Sequence, residues 1–125
     1  MIQLNYRDAK PIYEQVKEGI RKLIVAEALL PGEKLPSVRE LAAKLTINPN
    51  TISRAYRDLE AEGYLRSENG KGTFVAEEIH VTQERTEELL DSFDALVSEL
   101  FFLSVSGEEL IGRVTQIQVR RENHD

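Results

Sequence analysis

The sequence predicts a mainly α-helical protein with a small β-ribbon. Apolar residues recur at helical spacing along most of the chain, and two short strand-like runs flank a glycine-containing turn. Helix start and stop signals divide the helical pattern into separate pieces. We therefore expect three helices, a two-stranded ribbon and two further helices, in that order.

The first helix is expected from about Pro11 to Ala28. Apolar residues follow helical spacing from Ile12 to Ile24. Pro11 suits a first helical turn, and the pair Pro31 and Gly32 closes the segment.

Two shorter helices follow, each with its own start signal. Ser37 is expected to cap the second helix by accepting a hydrogen bond from the amide of Glu40, whose carboxylate would reach back, as in a capping box. Asn48 and Pro49 start the third helix, which ends at Gly63. The stripe expected to be buried on the third helix comprises Ile52, Ala55, Tyr56 and Leu59.

The ribbon is expected from the runs at 64–67 and 73–75. The turn between them contains Gly70, Lys71 and Gly72, and these glycines permit the positive φ angles of a hairpin. The tip of the ribbon is therefore basic.

From about Thr82 onward, apolar residues recur at alternating spacings of four and three, which is typical of a heptad seam. Ser106 repeats the capping-box pattern and starts a last helix, so an αα-hairpin is expected. The stripe could pack within one chain, but two short helices have little means of burying it alone, which favours a homodimer. The residues expected in the dimerisation seam are Leu89, Phe93, Leu96, Val97, Leu100, Phe101 and Leu103.

Composition narrows the function further. The net charge is −6, but it divides into +2 over residues 1–76 and −8 over residues 77–125. Cysteine is absent and no run approaches the roughly 18 apolar residues of a membrane span, so we expect an unexported cytoplasmic protein without membrane contact. The sequence has only two histidines, His80 and His124, and no phosphate-binding loop precedes a helix. We therefore expect no enzymatic activity, no metal site and no cofactor.

Three helices followed by a ribbon predict a winged helix-turn-helix, whose third helix enters the major groove of DNA. Asn50, Ser53, Arg54 and Arg57 share the face opposite the buried stripe, and Arg and Asn are the residues that pair with guanine and adenine. Taken alone, such a face is more often merely solvated. The residues predicted to contact DNA are Ser37, Arg39, Asn48, Asn50, Thr51, Ser53, Arg54, Arg57, Lys71 and Gly72.

Two of these residues have alternative explanations. Arg39 lies near the start of the second helix, where the helix dipole disfavours a cation, so either a DNA phosphate or a surface ion pair could account for it. Lys71 could reach the minor groove or a phosphate, or could simply keep the turn polar.

The segment PGEKLPSVRELAAKLTINPNTISRAYRDLEAEGYLRSENGKGTFV resembles the DNA-binding domain of GntR-family transcription regulators, over about residues 10–76. The resemblance implies that Arg39, the start of the third helix and the wing glycines contact DNA. Many members have Arg where this chain has Pro49 and Ser53, so their operator is not carried over. Asn-Pro-Asn-Thr with a short acidic two-helix tail is similar to the YtrA-type subgroup, whose members are repressors often placed beside transporter genes.

We therefore expect residues 1–76 to form a winged helix-turn-helix DNA-binding domain and residues 77–125 a helical dimerisation segment. The expected function is transcription regulation, by a repressor that binds a palindromic operator in double-stranded DNA as a homodimer. A small-molecule effector stays open. The alternative, which the overall negative charge leaves open, is a winged-helix module that binds proteins and not DNA.

Overall fold

The computed structural model describes residues 2–78 and 81–123, so His80 and His124 lie outside the described residues. Within those ranges the chain forms five helices and a two-stranded antiparallel sheet, which confirms the predicted fold class. The elements are α1 (Ile12–Val25), α2 (Val38–Leu45), α3 (Pro49–Glu62), β1 (Leu65–Glu68), β2 (Gly72–Val75), α4 (Gln83–Phe102) and α5 (Gly107–Glu122).

The chain divides into two compact units, Met1–Thr82 and Gln83–Asp125. In the part of the chain that the structure describes, no helix is long and apolar enough to cross a membrane. The same residues contain no cluster of three or more His, Cys, Asp or Glu side chains that could hold a metal ion.

The core of the first unit lies between α1, α2, α3 and the ribbon. The predicted stripe on α3 is buried, as expected. Val16 and Ile20 supply the buried side chains of α1, and Leu41 and Ala42 supply those of α2. Burying these apolar surfaces is the main favourable contribution to folding of this unit. The buried residues among those that the structure describes are Val16, Ile20, Leu35, Leu41, Ala42, Ile52, Ala55, Tyr56, Leu59, Tyr64, Leu65 and Val75.

Helix α1 ends three residues earlier than predicted. Glu27 has a φ of 60°, in the left-handed region, so the chain leaves the helix there. The amides of Ala28 and Leu29 both donate to the carbonyl of Leu23, at 2.9 and 3.1 Å. This turn directs Leu29 against the core, and the gain in apolar contact explains why the helix ends before the predicted Ala28.

The caps of α2 and α3 confirm the predicted start signals. The Ser37 hydroxyl accepts a hydrogen bond from the Glu40 amide at 3.1 Å, and the Asn48 side chain accepts one from the Asn50 amide at 2.8 Å. Among the described residues, the Glu40 carboxylate does not make the return hydrogen bond of the predicted capping box. Between the helices, Thr46 has a φ of 57°, an unusual conformation for a β-branched residue. Gly63 ends α3 with a φ of 98°, as predicted.

A short segment before α2 extends the ribbon. The Leu35 amide donates to the Thr73 carbonyl at 2.8 Å, and the Val75 amide donates to the Glu33 carbonyl at 2.9 Å. Lys34 and Phe74 form the antiparallel bridge between them. The β1–β2 hairpin is therefore attached through its backbone to the chain entering α2, which holds the ribbon beside the helices.

The second unit consists of α4 and α5. Ser106 caps α5 by accepting from the Glu109 amide at 3.1 Å, as predicted. None of the described side chains of α4 or α5 is buried within the single chain. A pair of helices with no buried side chain leaves its apolar surface in contact with water.

Candidate nucleic-acid interface

The exposed face of α3 borders a groove between α2 and the ribbon. Asn50, Ser53 and Arg57 line it from α3, while Val38 lines it from the start of α2. Ser67 and Thr73 line it from β1 and β2, and Tyr56 and Glu60 also line it from α3. The structure thus brings together three of the predicted α3 residues with the ribbon.

Arg39 and Arg57 are exposed, and neither has a hydrogen-bond, ion-pair or aromatic partner within residues 2–78 and 81–123. The surface ion pair that could have explained Arg39 is therefore not formed among these residues. A cation near the N-terminus of α2 carries an unfavourable interaction with the helix dipole, which an anion beside it would offset.

Arg54 lies apart from the other three residues of the predicted face. It does not line the groove. Its guanidinium carbon is 3.6 Å from the centre of the Tyr13 ring, which belongs to the first turn of α1. Helical spacing groups these four residues on one face of α3. In the structure three of them line the groove, whereas Arg54 lies against Tyr13 of α1.

Two of the residues predicted to contact DNA, Ser37 and Asn48, act as helix caps in the structure. The side-chain oxygens of Ser37 and Asn48 accept the helix-start amides, so their role in the chain is to position α2 and α3. Thr51, in the first turn of α3, is half-buried.

The tip of the ribbon carries Lys71 and Gly72, both exposed. Gly72 has a φ of 119°, and a Cβ atom there would lie 3.0 Å from Cε of Lys34. Lys34 thus adds a second cation beside the tip, which sequence reasoning missed. The pairing of Lys34 with Phe74 that puts it there joins residues far apart in sequence and leaves no local signal.

Arg66 of β1 contacts Phe74 of β2 and Glu77, which follows β2. Its guanidinium donates to both carboxylate oxygens of Glu77, at 2.7 and 2.6 Å, and lies 4.7 Å from the centre of the Phe74 ring. The hydrogen bonds from Arg66 lower the pKa of Glu77 to about 2. This arginine braces the ribbon, since Nε and one terminal nitrogen bind Glu77 and the other terminal nitrogen lies 3.4 Å from the Glu68 carboxylate.

The predicted seam, which lies on α4 and at Leu103 directly after it, is largely exposed to solvent. Phe93, Leu96 and Leu103 are 49%, 61% and 62% exposed. Val97 and Leu100 are half-buried. The remaining predicted seam residues, Leu89 and Phe101, are also exposed.

Helix α5 adds apolar residues that the predicted seam did not include. Ile111, Val114 and Ile117 are each more than half exposed. An apolar cavity of about 280 Å³ opens between α4 and α5, lined mainly by Phe93, Val97, Phe101, Leu110, Ile111 and Val114. Their helical spacing in α5 is the sequence signal that places them on one side of the helix.

Comparison with known proteins shows that this chain is similar to bacterial regulatory proteins. The family model described as "Bacterial regulatory proteins, gntR family" matches residues 12–75. HTH-type transcriptional repressor YtrA of Bacillus subtilis is 45% identical over 82 residues, which cover 66% of this chain and 63% of that protein. The uncharacterized HTH-type transcriptional regulator YhcF, also of B. subtilis, is 37% identical over 107 residues, which cover 85% of this chain and 88% of that protein.

Two solved structures extend the comparison. A structure described as a transcriptional antiterminator from Listeria monocytogenes superposes with a TM-score of 0.77 at 32% identity, over 94% of this chain and 90% of that chain. The DNA-binding domain of AraR, solved in complex with operator ORR3, gives a TM-score of 0.53 at 39% identity, over 59% of this chain and 89% of that chain.

Proposed function

The chain belongs to the gntR family of bacterial regulatory proteins and is similar to its YtrA-type members, and from this we propose that it is a sequence-specific repressor that binds double-stranded DNA as a homodimer. One observation carries the proposal. Arg57 is exposed in the groove beside α3, Arg39 is exposed near the start of α2, and neither has a partner among the described residues. DNA phosphates and base edges provide hydrogen-bond acceptors for these unpaired guanidinium groups.

In this proposal residues 1–76 bind DNA, with α3 in the major groove. Asn50 and Arg57 read base edges, since an amide pairs with adenine and a guanidinium with guanine. Arg39 and Lys71 hold the backbone on either side. The proposed interface comprises Ser37, Arg39, Asn48, Asn50, Thr51, Ser53, Arg54, Arg57, Lys71 and Gly72, with Lys34 added.

Residues 77–125 supply the dimer contact in this proposal. The exposed apolar faces of α4 and α5 are of the kind that a second copy covers. A two-fold dimer places two copies of α3 about 34 Å apart along DNA and requires an operator of matching symmetry. The acidity of this part keeps it away from phosphates. We assign the protein to the cytoplasm, where its target lies.

The repressor assignment follows the name of the B. subtilis relative YtrA. Operator complexes of the AraR DNA-binding domain support the choice of duplex DNA as partner. The match to YtrA covers 66% of this chain, and the match to the AraR domain covers 59%.

The test is selection of duplexes from a randomised library by the full chain, followed by titration of the selected duplex over a series of salt concentrations. We expect a palindromic consensus and an affinity that falls linearly on a log–log plot, because bound cations release counterions from DNA. Arg120→Ala, which removes an exposed arginine of α5, is the matched control and should leave the slope unchanged. Failure to enrich any duplex would favour a protein-binding module instead.

A further inference from the structure

The contact between Arg54 and Tyr13 joins α3 to α1 at the edge of the proposed interface. At 3.6 Å from the ring centre, the guanidinium lies against the aromatic face, within the distance of a cation–π interaction. Tyr13 is half-buried in the first turn of α1, whereas Arg54 is exposed. An aromatic platform thus holds a charged group that solvent can still reach.

Arg54 makes no hydrogen bond or ion pair to any of the described residues. The acid one turn further along α3, Asp58, is paired with Lys17 instead, at 3.6 Å. The stack uses the face of the guanidinium but not its N–H groups, which lie in the plane of the group. Its donors are therefore free for an outside acceptor.

The position of Arg54 decides between the two acceptors that DNA offers. The groove that faces the ribbon is lined by Asn50, Ser53 and Arg57, and Arg54 is outside it. Residues within such a groove reach base edges, whereas a residue at the flank of a recognition helix faces the sugar-phosphate backbone. A phosphate also fits the chemistry, because a guanidinium donates two parallel hydrogen bonds to its oxygens.

We propose that Arg54, stacked on Tyr13, forms a binding site for one DNA backbone phosphate, and that Tyr13 is its positioning residue. This inference rests on the proposed DNA binding and assigns Arg54 a different task from Arg57. The ring restricts the rotamers of Arg54 before DNA arrives, which lowers the ordering cost of the contact. Arg54 then contributes affinity and register, and little choice of base.

The first experiment measures affinity for the selected duplex over a salt series. Arg54→Ala should weaken binding by about tenfold or more and make the log–log salt slope less steep by about 1, with an unchanged base preference. Tyr13→Leu should lose much of the same affinity although no charge is removed. Tyr13→Phe keeps the ring and should bind within about twofold of the wild type. Arg57→Ala is the comparison, because it should change the base preference.

A double-mutant cycle separates positioning from a general structural role. If Tyr13 acts through Arg54, adding Tyr13→Leu to Arg54→Ala should cause no further loss of affinity. Tyr13→Met provides a second non-aromatic variant in case Tyr13→Leu fails to fold, which thermal unfolding will show. An additive loss in the double variant would overturn the positioning role.

A scan of the duplex with single neutral methylphosphonates locates the acceptor. One position in each half-site should weaken the wild type while leaving Arg54→Ala unaffected. If the wild type binds duplex DNA normally but no such position exists, or if Arg54→Ala changes base preference with the salt slope intact, the phosphate site is wrong while the proposed function stands. If the wild type binds no duplex, the proposed function fails first.

Discussion

The Tyr56 hydroxyl donates a hydrogen bond to the backbone carbonyl of Pro36 at 2.7 Å. Tyr56 lies on the buried side of α3, and Pro36 directly precedes Ser37, the residue that caps α2. One hydrogen bond therefore ties the proposed recognition helix to the start of α2, where Arg39 is located.

Tyr56→Phe should lower the free energy of unfolding by about 1 kcal/mol, because the Pro36 carbonyl loses its donor while the ring still fills the core. Urea unfolding followed by circular dichroism measures the change. Tyr6→Phe is the matched control, since Tyr6 is 68% exposed and should tolerate the loss of its hydroxyl. Equal stabilities of wild type and Tyr56→Phe would show that the hydrogen bond contributes nothing.

Alkaline pH should destabilise the protein through the same tyrosine. Burial raises the pKa of Tyr56 from 10.0 to about 12, with the Glu40 charge adding to the effect. Between these values the folded chain holds a proton that the unfolded chain has released, so stability is complete below about pH 10 and falls as the pH rises toward 12. Urea unfolding from pH 9 to 12 should therefore show a steeper decline for the wild type than for Tyr56→Phe.

Arg57 and Arg39 should contribute to DNA binding in different ways. Arg57→Ala should cost about 1 to 3 kcal/mol of binding free energy and relax the preference at one base position in each half-site. Arg39→Ala should weaken binding to all sequences more evenly and reduce the salt slope. Competition titrations with single-base operator variants distinguish these results. Identical profiles for both variants would contradict the separation of base and backbone contacts.

Leu96→Asp should convert the proposed dimer to a monomer. It places an unpaired charge in the apolar seam of each copy, at a cost of several kcal/mol. Ser98→Asp, which adds the same charge at an exposed polar position of α4, is the control and should stay dimeric. Sedimentation measures the assembly, and titration should show much weaker binding to a two-half-site operator. A dimeric Leu96→Asp variant would exclude this seam from the contact.

Thr46→Gly should raise the free energy of unfolding by about 0.5 kcal/mol. The left-handed conformation costs an L-residue about 1 to 2 kcal/mol, part of which is offset by the greater chain entropy of glycine in the unfolded state. Ala43→Gly in the exposed part of α2 is the comparison and should lower the stability by about 1 kcal/mol. A destabilised Thr46→Gly variant would show that the φ of 57° carries no strain.

Local signals explain how much of this fold could be predicted. Ser37, Asn48 and Ser106 cap helices because a short side-chain oxygen can reach an amide two or three residues ahead, which the sequence displays directly. Gly63 ends α3 for an equally local reason. By contrast, the stop of α1 at Val25 depends on Leu29 turning into a core formed by distant residues.

The candidate site shows the same limit. Helical spacing groups Arg54 with Asn50 and Arg57, but it contains no information about Tyr13, which lies 41 positions earlier in the sequence and packs against the guanidinium.

The conformation of the N-terminal segment before α1 also has no local signal in the sequence. Its backbone is held by Gln15, whose side chain accepts from the Asn5 amide at 2.7 Å and donates to the Asn5 carbonyl at 2.9 Å.

The uncovered apolar faces of α4 and α5 have a genetic consequence. If two copies must pair to cover these faces, a variant in which Arg39 and Arg57 are replaced by Ala but Leu96 is unchanged will still pair with normal chains in the same cell. Each mixed pair holds a single competent half and loses the gain that comes from joining two half-sites. Such an allele should be dominant over the normal one, and adding Leu96→Asp to it should restore recessive behaviour.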